Sequence, residues 1–179
     1  MRALLPLPPV GDGDHVGELV SALSELGGRE DVFVGVSAAR QGTRESARSL
    51  GEAADAARIA TALMPDGGAL AYEDLGAYRY LVHLPLDDAP RDRYCEAVER
   101  LVDYDELRHT HLVDTLESYL HGRRRGATTA RTLYIHPNTL RQRLDRIEKV
   151  SGLNLVSEDL LSLELAVKLV RLRRGLGKS

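Results

Sequence analysis

Between Gly126 and Gly152 the chain has few ways to fold. Pro137 lacks an amide proton and has a fixed φ, so it suits the first position of a helix and not its interior. Gly152 stands where a left-handed C-terminal cap is wanted. Between them Leu140, Leu144 and Ile147 recur at i, i+4 and i+7, one stripe of a helix. Upstream, Thr128 can cap a shorter helix in which Ala130 and Leu133 face inward, with Ile135 in the turn. The stretch therefore predicts a short helix, a tight turn and a second helix over 137–150.

The second helix has a polar side opposite its apolar stripe, made of Asn138, Gln142, Asp145 and Lys149 and flanked by Arg141 and Arg146. If the stripe is buried, these residues face outward. Asn and Gln pair with adenine edges, and Arg with guanine, when such a helix enters a major groove. The competing reading is a solvated amphipathic helix with ordinary surface charges. Charge distribution favours DNA. Residues 1–100 hold 10 Arg and 17 Asp plus Glu, a net of −7, whereas 101–179 hold 14 Lys plus Arg and 10 Asp plus Glu, a net of +4. Residues 121–150 alone carry 8 basic and 2 acidic side chains. A polyanion would meet the C-terminal part and be repelled by the rest. Asn138, Thr139, Arg141 and Gln142 are the candidates for base edges. Arg131, Arg143, Arg146 and Lys149 are the candidates for phosphates, which set affinity without reading sequence. Arg143 lies nearer the apolar stripe, so packing of its stem is the alternative. The loop Gly122-Arg-Arg-Arg-Gly126 reads equally as a solvated linker or a phosphate contact.

The motifs Thr-Ala-Arg-Thr-Leu at 129–133, Ile-His-x-Asn-Thr-Leu-Arg at 135–141 and Arg-Leu-x-Arg-Ile at 143–147 resemble the C-terminal helix-turn-helix of PucR/CdaR-type transcription regulators. Thr115-Leu116, Tyr119-Leu120 and Ser151-Gly152-Leu153 extend the resemblance over about 103–172. It implies a sequence-specific regulator binding double-stranded DNA. Pro137 departs from the Arg usual in that family, and Gln142 from a common aromatic. The glycine often found in such turns is missing, with Tyr134 in its neighbourhood, which predicts a longer turn.

With 179 residues, 43% of them hydrophobic, the chain can form one or two small domains with real cores. Aromatics make up only 4% and Trp is absent, so Leu, Val and Ala must do the packing. Cys95 is the one cysteine, no Cys/His spacing suits a metal, and no cofactor is expected. No apolar run reaches the ~18–20 residues that span a bilayer, and Met1 to Val10 is too short and Pro-rich for a signal peptide. A cytoplasmic protein without a membrane partner is the expectation.

The N-terminal part predicts a strand at Ala3–Leu5, a turn or helix entry at Gly11–Asp14, a helix from Val16 to Leu26, a central strand over 31–37, a helix from Ser46 to Leu63, strands at Ala69–Tyr72 and Tyr78–Leu84, and a helix from Pro90 to Leu101. That order is an α/β sandwich pattern. Val34-Gly-Val-Ser37, Glu52-Ala53-x-x-Ala56-x-x-Ala60 and Tyr72-Glu-Asp-Leu-Gly76 resemble the GGDEF-like domain preceding the helix-turn-helix in PucR/CdaR-type regulators. The fold class expected is thus an α/β GGDEF-like sandwich over 1–102 plus an all-α helix-turn-helix domain over 103–179. Catalysis is not expected. Diguanylate cyclases need a Gly-Gly-Asp/Glu-Glu-Phe turn to hold Mg²⁺, which is missing here, and the adjacent carboxylates Glu73-Asp74 and Asp87-Asp88 would point to opposite faces in a strand or extended segment. The alternative is a nucleotide-handling GGDEF-type enzyme with a helical dimerisation module.

Asp103 to His121 reads as one helix bracing the DNA-reading pair. Ser157 can cap a last helix whose body runs from Leu160 to Arg174, with Leu161, Leu165, Leu169 and Leu172 on one face and Leu163, Val167 and Val170 widening it. A helix apolar over so much of its circumference is buried on more than one side, against the rest of the domain or a partner subunit. A homodimer is expected because one recognition helix covers only a few base pairs, with Leu160–Leu172 as the candidate contact. Regulators of the resembled kind often answer to small metabolites, and the sequence does not name an effector.

Overall fold

The computed structural model describes residues 15–27, 32–40, 43–86 and 91–177. Helix accounts for 70% of it. The expected strand at Ala3–Leu5, the turn at Gly11–Asp14 and the Asp87-Asp88 pair lie outside the described residues. The chain divides into two compact units, 1–87 with 171–179, and 88–170.

In the first unit α1 (His15–Gly27) precedes β1 (Phe33–Val36), α2 (Ser46–Leu63), β2 (Gly68–Ala71) and the one-turn helix α3 (Tyr78–Leu81). The strands pair in parallel, Phe33 opposite Gly68 through Val36 opposite Ala71, with α2 as the crossover. The β1–α2 approach is unusually close. A Cβ on Gly35 would lie 2.0 Å from the Ala53 carbonyl oxygen and 2.3 Å from the Ala57 nitrogen. The alanines of α2 leave the space that contact needs. Ala56, Ile59, Leu75, Tyr78, Leu81, Val82 and Leu172 form the core. Glu52 is buried beside Arg40 and Arg48, with the Arg48 Nε 3.2 Å from its carboxylate.

The expected α/β sandwich is corrected here: among the described residues there are two parallel strands and no more. The segment 78–84 is not a strand. Tyr78, Leu81 and Val82 are buried while Tyr80 is 72% exposed. That i, i+3, i+4 spacing is helical, and Tyr78 and Tyr80, two residues apart, face opposite ways for that reason.

The second unit holds α4 (Arg93–Arg108), α5 (Leu112–His121), α6 (Gly126–Thr132), α7 (Pro137–Ser151) and α8 (Leu160–Leu176) through Val170. Two sequence expectations fail between Pro90 and His121. The third helix does not end at Leu101, and the next does not begin at Asp103. Instead α4 runs to Arg108 and His109 turns left-handed at φ +53°. Asp105 explains the break. Its carboxylate accepts the Leu112 and Val113 amides, each at 2.9 Å, and the Thr110 hydroxyl, so it satisfies the open N-terminus of α5 from the end of α4. The N-terminus of α4 is capped by Asp92, which accepts the Tyr94 and Cys95 amides.

The expected caps of two other helices are also corrected. Thr128 lies inside α6, where its carbonyl accepts the Thr132 hydroxyl, and Arg125 holds the cap position. At the start of α8 the cap is Asp159, not Ser157: its carboxylate accepts the Ser162 amide at 2.7 Å. The Ser162 hydroxyl and amide together hold the Asp159 carboxyl below its ordinary pKa. Along α8 the buried side is Leu163, Ala166, Val167 and Val170, while Leu161 and Leu165 are 63% and 40% exposed. The stripe expected to lead the packing is therefore split, and its first two leucines face solvent.

Candidate nucleic-acid interface

The α6–α7 connection is tighter than the missing glycine suggests. Tyr134 itself takes the left-handed conformation at φ +53°. The Ile135 amide donates to the Ala130 carbonyl at 3.0 Å and the Tyr134 amide to Arg131 at 3.1 Å. These are the two bonds of a Schellman ending. The Tyr134 side chain is 96% exposed, so it contributes nothing to the core.

The chain then enters α7 with Pro137 in its first turn, as expected. His136 is the cap, its Nδ1 accepting the Asn138 amide at 3.2 Å. The Asn138 side chain is thereby left out of capping and is exposed. The helix ends at Gly152, φ +75°, as its sequence position predicts.

The two faces of α7 are separated by burial. Leu140 and Ile147 are buried and Leu144 half-buried. Asn138, Thr139, Arg141, Gln142, Asp145 and Lys149 are all exposed. Three hydrogen bonds fix the roll of the helix. Arg143 donates through Nη1 to the Thr115 hydroxyl at 3.1 Å, and that fully buried hydroxyl in turn donates to the His111 carbonyl at 2.7 Å. Arg146 reaches the Tyr104 hydroxyl at 3.1 Å, and Arg100 holds the Ser151 carbonyl at 2.6 Å. Glu148 accepts the Leu155 amide at 2.8 Å, which fastens the loop after α7.

Of the residues singled out from sequence, Asn138, Thr139, Arg141, Gln142 and Lys149 thus share one solvent-facing surface. Arg131 is exposed on the preceding helix, its Nε donating to the Ala127 carbonyl at 3.3 Å. Arg143 and Arg146 are engaged within the unit. In the basic loop, Arg123 and Arg124 are both left-handed, at φ +50° and +60°. The Arg124 guanidinium donates to the Val156 carbonyl at 3.0 Å and to the Glu158 carbonyl at 2.6 Å. It clamps the α7–α8 loop, so that loop is neither a plain linker nor, at Arg124, open to a phosphate. Sequence reasoning missed the Asp105 cap, the His136 cap and the Arg124 clamp. Only His136 gave a signal, standing directly before a helix-opening proline.

With this geometry in place, comparison with known proteins points one way. Residues 112–169 match the PucR C-terminal helix-turn-helix domain. The matched span runs from the first residue of α5 to the middle of α8. The chain is also 31% identical over 84 residues to the DNA-binding transcriptional activator AdeR of Bacillus subtilis (strain 168). That alignment covers 47% of this chain and 20% of the relative, so the chain spans about a fifth of the curated protein it matches. No solved structure matches. Among the described residues no helix is long and apolar enough to cross a membrane, and no group of three His, Cys, Asp or Glu side chains could hold a metal ion.

Proposed function

We propose that the chain regulates transcription by placing α7 in the major groove of double-stranded DNA. The observation that carries this reading is the separation of the two faces of α7. Its apolar stripe is buried at Leu140 and Ile147 and half-buried at Leu144, and Arg143 and Arg146 bond to neighbouring helices, while Asn138, Thr139, Arg141, Gln142 and Lys149 are left exposed. Asn138, Thr139, Arg141 and Gln142 read base edges. Arg131 and Lys149 contact phosphates, and Arg143 and Arg146 hold the helix at the angle that makes those contacts possible. The resemblance of the N-terminal part to a GGDEF-like domain rests on its sequence motifs alone. That part is acidic and is left out of the DNA contact, in a cytoplasmic protein.

A homodimer completes the reading. One recognition helix covers a few base pairs, and a two-fold pair about 34 Å apart gives a longer site. Leu161 and Leu165, adjacent on one exposed face of α8, are the contact we assign.

The test compares Gln142→Ala and Lys149→Ala in the full chain. Neither should change the melting temperature. Gln142→Ala should weaken the selected site by about 1–3 kcal/mol and leave unrelated DNA unchanged. Lys149→Ala should weaken all duplexes alike and flatten the salt dependence by about 0.9 in slope. A stability loss in Gln142→Ala with full site preference would make the assigned surface a packing face. The same titrations give two chains per site if the dimer is right.

A further inference from the structure

Of the two acidic residues in the strongly basic stretch 121–150, Glu148 has a structural task, since it accepts the Leu155 amide. Asp145 has none. It is exposed, and among the described residues no ion pair joins it to Arg141 or Lys149, although each lies four residues away on the same helix. It shares the outward side with Asn138 and Gln142, at i+7 and i+3 from them, which is where a helix repeats its face. A bare carboxylate there works against binding a polyanion.

That cost has a chemical use. The major groove offers a carboxylate few donors. Guanine presents two acceptors and thymine an acceptor and a methyl group, and both repel it. Adenine pairs a donor with an acceptor, which suits the amides of Asn138 and Gln142 and leaves a carboxylate facing the acceptor N7. Cytosine presents an amino donor alone. Asp145 lies about 4.5 Å along the helix axis from Gln142, at about 1.5 Å per residue. That advance is comparable to one base-pair step, about 3.4 Å.

We propose that Asp145 is a specificity-determining residue that selects cytosine at one position of the bound site, next to the position read by Gln142, and rejects guanine and thymine there. The proposal rests on α7 being the groove-reading helix. In it, amide side chains attract and a carboxylate excludes, so discrimination comes partly from repulsion.

The experiment selects bound duplexes from a random pool with the full chain, its Asp145→Ala variant and its Asp145→Asn variant. The unaltered chain should fix a C·G pair at one position. Asp145→Ala should lose that preference by about tenfold or more while the neighbouring positions stay fixed. It should also bind unrelated DNA more tightly, because a charge facing the polyanion is gone. Asp145→Asn should move the preference toward adenine. As an atomic control, a pyrimidine lacking the exocyclic amino group at that position should weaken the unaltered chain and leave Asp145→Ala indifferent. If Asp145→Ala keeps the full preference and merely gains affinity for every duplex, Asp145 is an ordinary surface charge and the proposal falls while the DNA reading stands. If the unaltered chain selects no duplex, both fall together.

Discussion

The two units solve the problem of packing with few aromatics in opposite ways. The first relies on removing side-chain volume. Gly35 brings β1 against the backbone of α2, and Gly175 does the same for the end of α8, where an added Cβ would lie 2.1 Å from the Ala62 carbonyl oxygen. The second relies on large aliphatics and on polar groups that settle helix ends. Leu101, Leu116, Leu120, Ile147 and Leu163 are fully buried there, and Asp92, Asp105, His136 and Asp159 each cap a helix with a side chain. Close backbone contact leaves no slack at the contact itself. Capped helices tolerate change along their outward faces, and an outward face that tolerates change is one that can specialise in recognition.

The sharpest way to break this contrast is one added methyl group in the first unit. Gly35→Ala places a Cβ 2.0 Å from a backbone oxygen and 2.3 Å from a backbone nitrogen. Neither atom can move without displacing the helix. The substitution should cost more than about 3 kcal/mol, beyond the usual range for overpacking. Thermal melting gives the size of the loss, and amide exchange over 33–36 and 46–63 its location. A loss below about 1 kcal/mol would mean that β1 and α2 are not in backbone contact.

How much of each unit was legible follows the same division. The α6–α7 pair could be read because its signals are local: Pro137 and Gly152 mark the ends of α7, and Leu140 and Ile147 mark its buried face. Segment 78–84 could not. Tyr78, Tyr80 and Val82 look like β alternation, and only the burial of Tyr78, Leu81 and Val82 by residues distant in sequence shows a helix. The break at His109 was equally hidden. Its cause is Asp105 accepting amides seven and eight residues on, a spacing that no cap motif contains. On the exposed face of α7 the residue types were readable, but not the bonds that its flanking arginines make. Arg143 and Arg146, expected at phosphates, also donate to Thr115 and Tyr104, partners 28 and 42 residues away that no local motif announces.

Asp105 offers the second test, of intermediate size. Asp105→Ala leaves the Leu112 and Val113 amides and the Thr110 hydroxyl without their acceptor. Water can replace part of it at a helix N-terminus, so the cost should be about 1–3 kcal/mol. If capping holds the second unit together, exchange should accelerate at the first turn of α5 and leave the caps at Asp92 and His136 unaffected. Uniform acceleration across α4, α5 and α7 would show instead that Asp105 supports the whole unit, and the contrast between tight contact and independent caps would have to be redrawn.

The smallest effect is expected at Tyr134, where its sign matters more than its size. A left-handed conformation costs a residue with a Cβ roughly 1–2 kcal/mol. Glycine removes that cost, but its unfolded chain is more flexible, which takes back about 0.5–1 kcal/mol. The Tyr134 side chain is almost fully exposed, so no buried contact is lost. Tyr134→Gly should therefore stabilise the second unit by up to about 1 kcal/mol, raising its melting temperature slightly. Tyr134→Val should lower it, because branching at Cβ makes positive φ harder still. The pair of variants separates the backbone from the side chain. If both lower the melting temperature, the phenol ring itself supports the turn. If glycine raises stability and weakens binding to every duplex alike, the ring lies against the DNA backbone, and the strain at Tyr134 is retained for that contact.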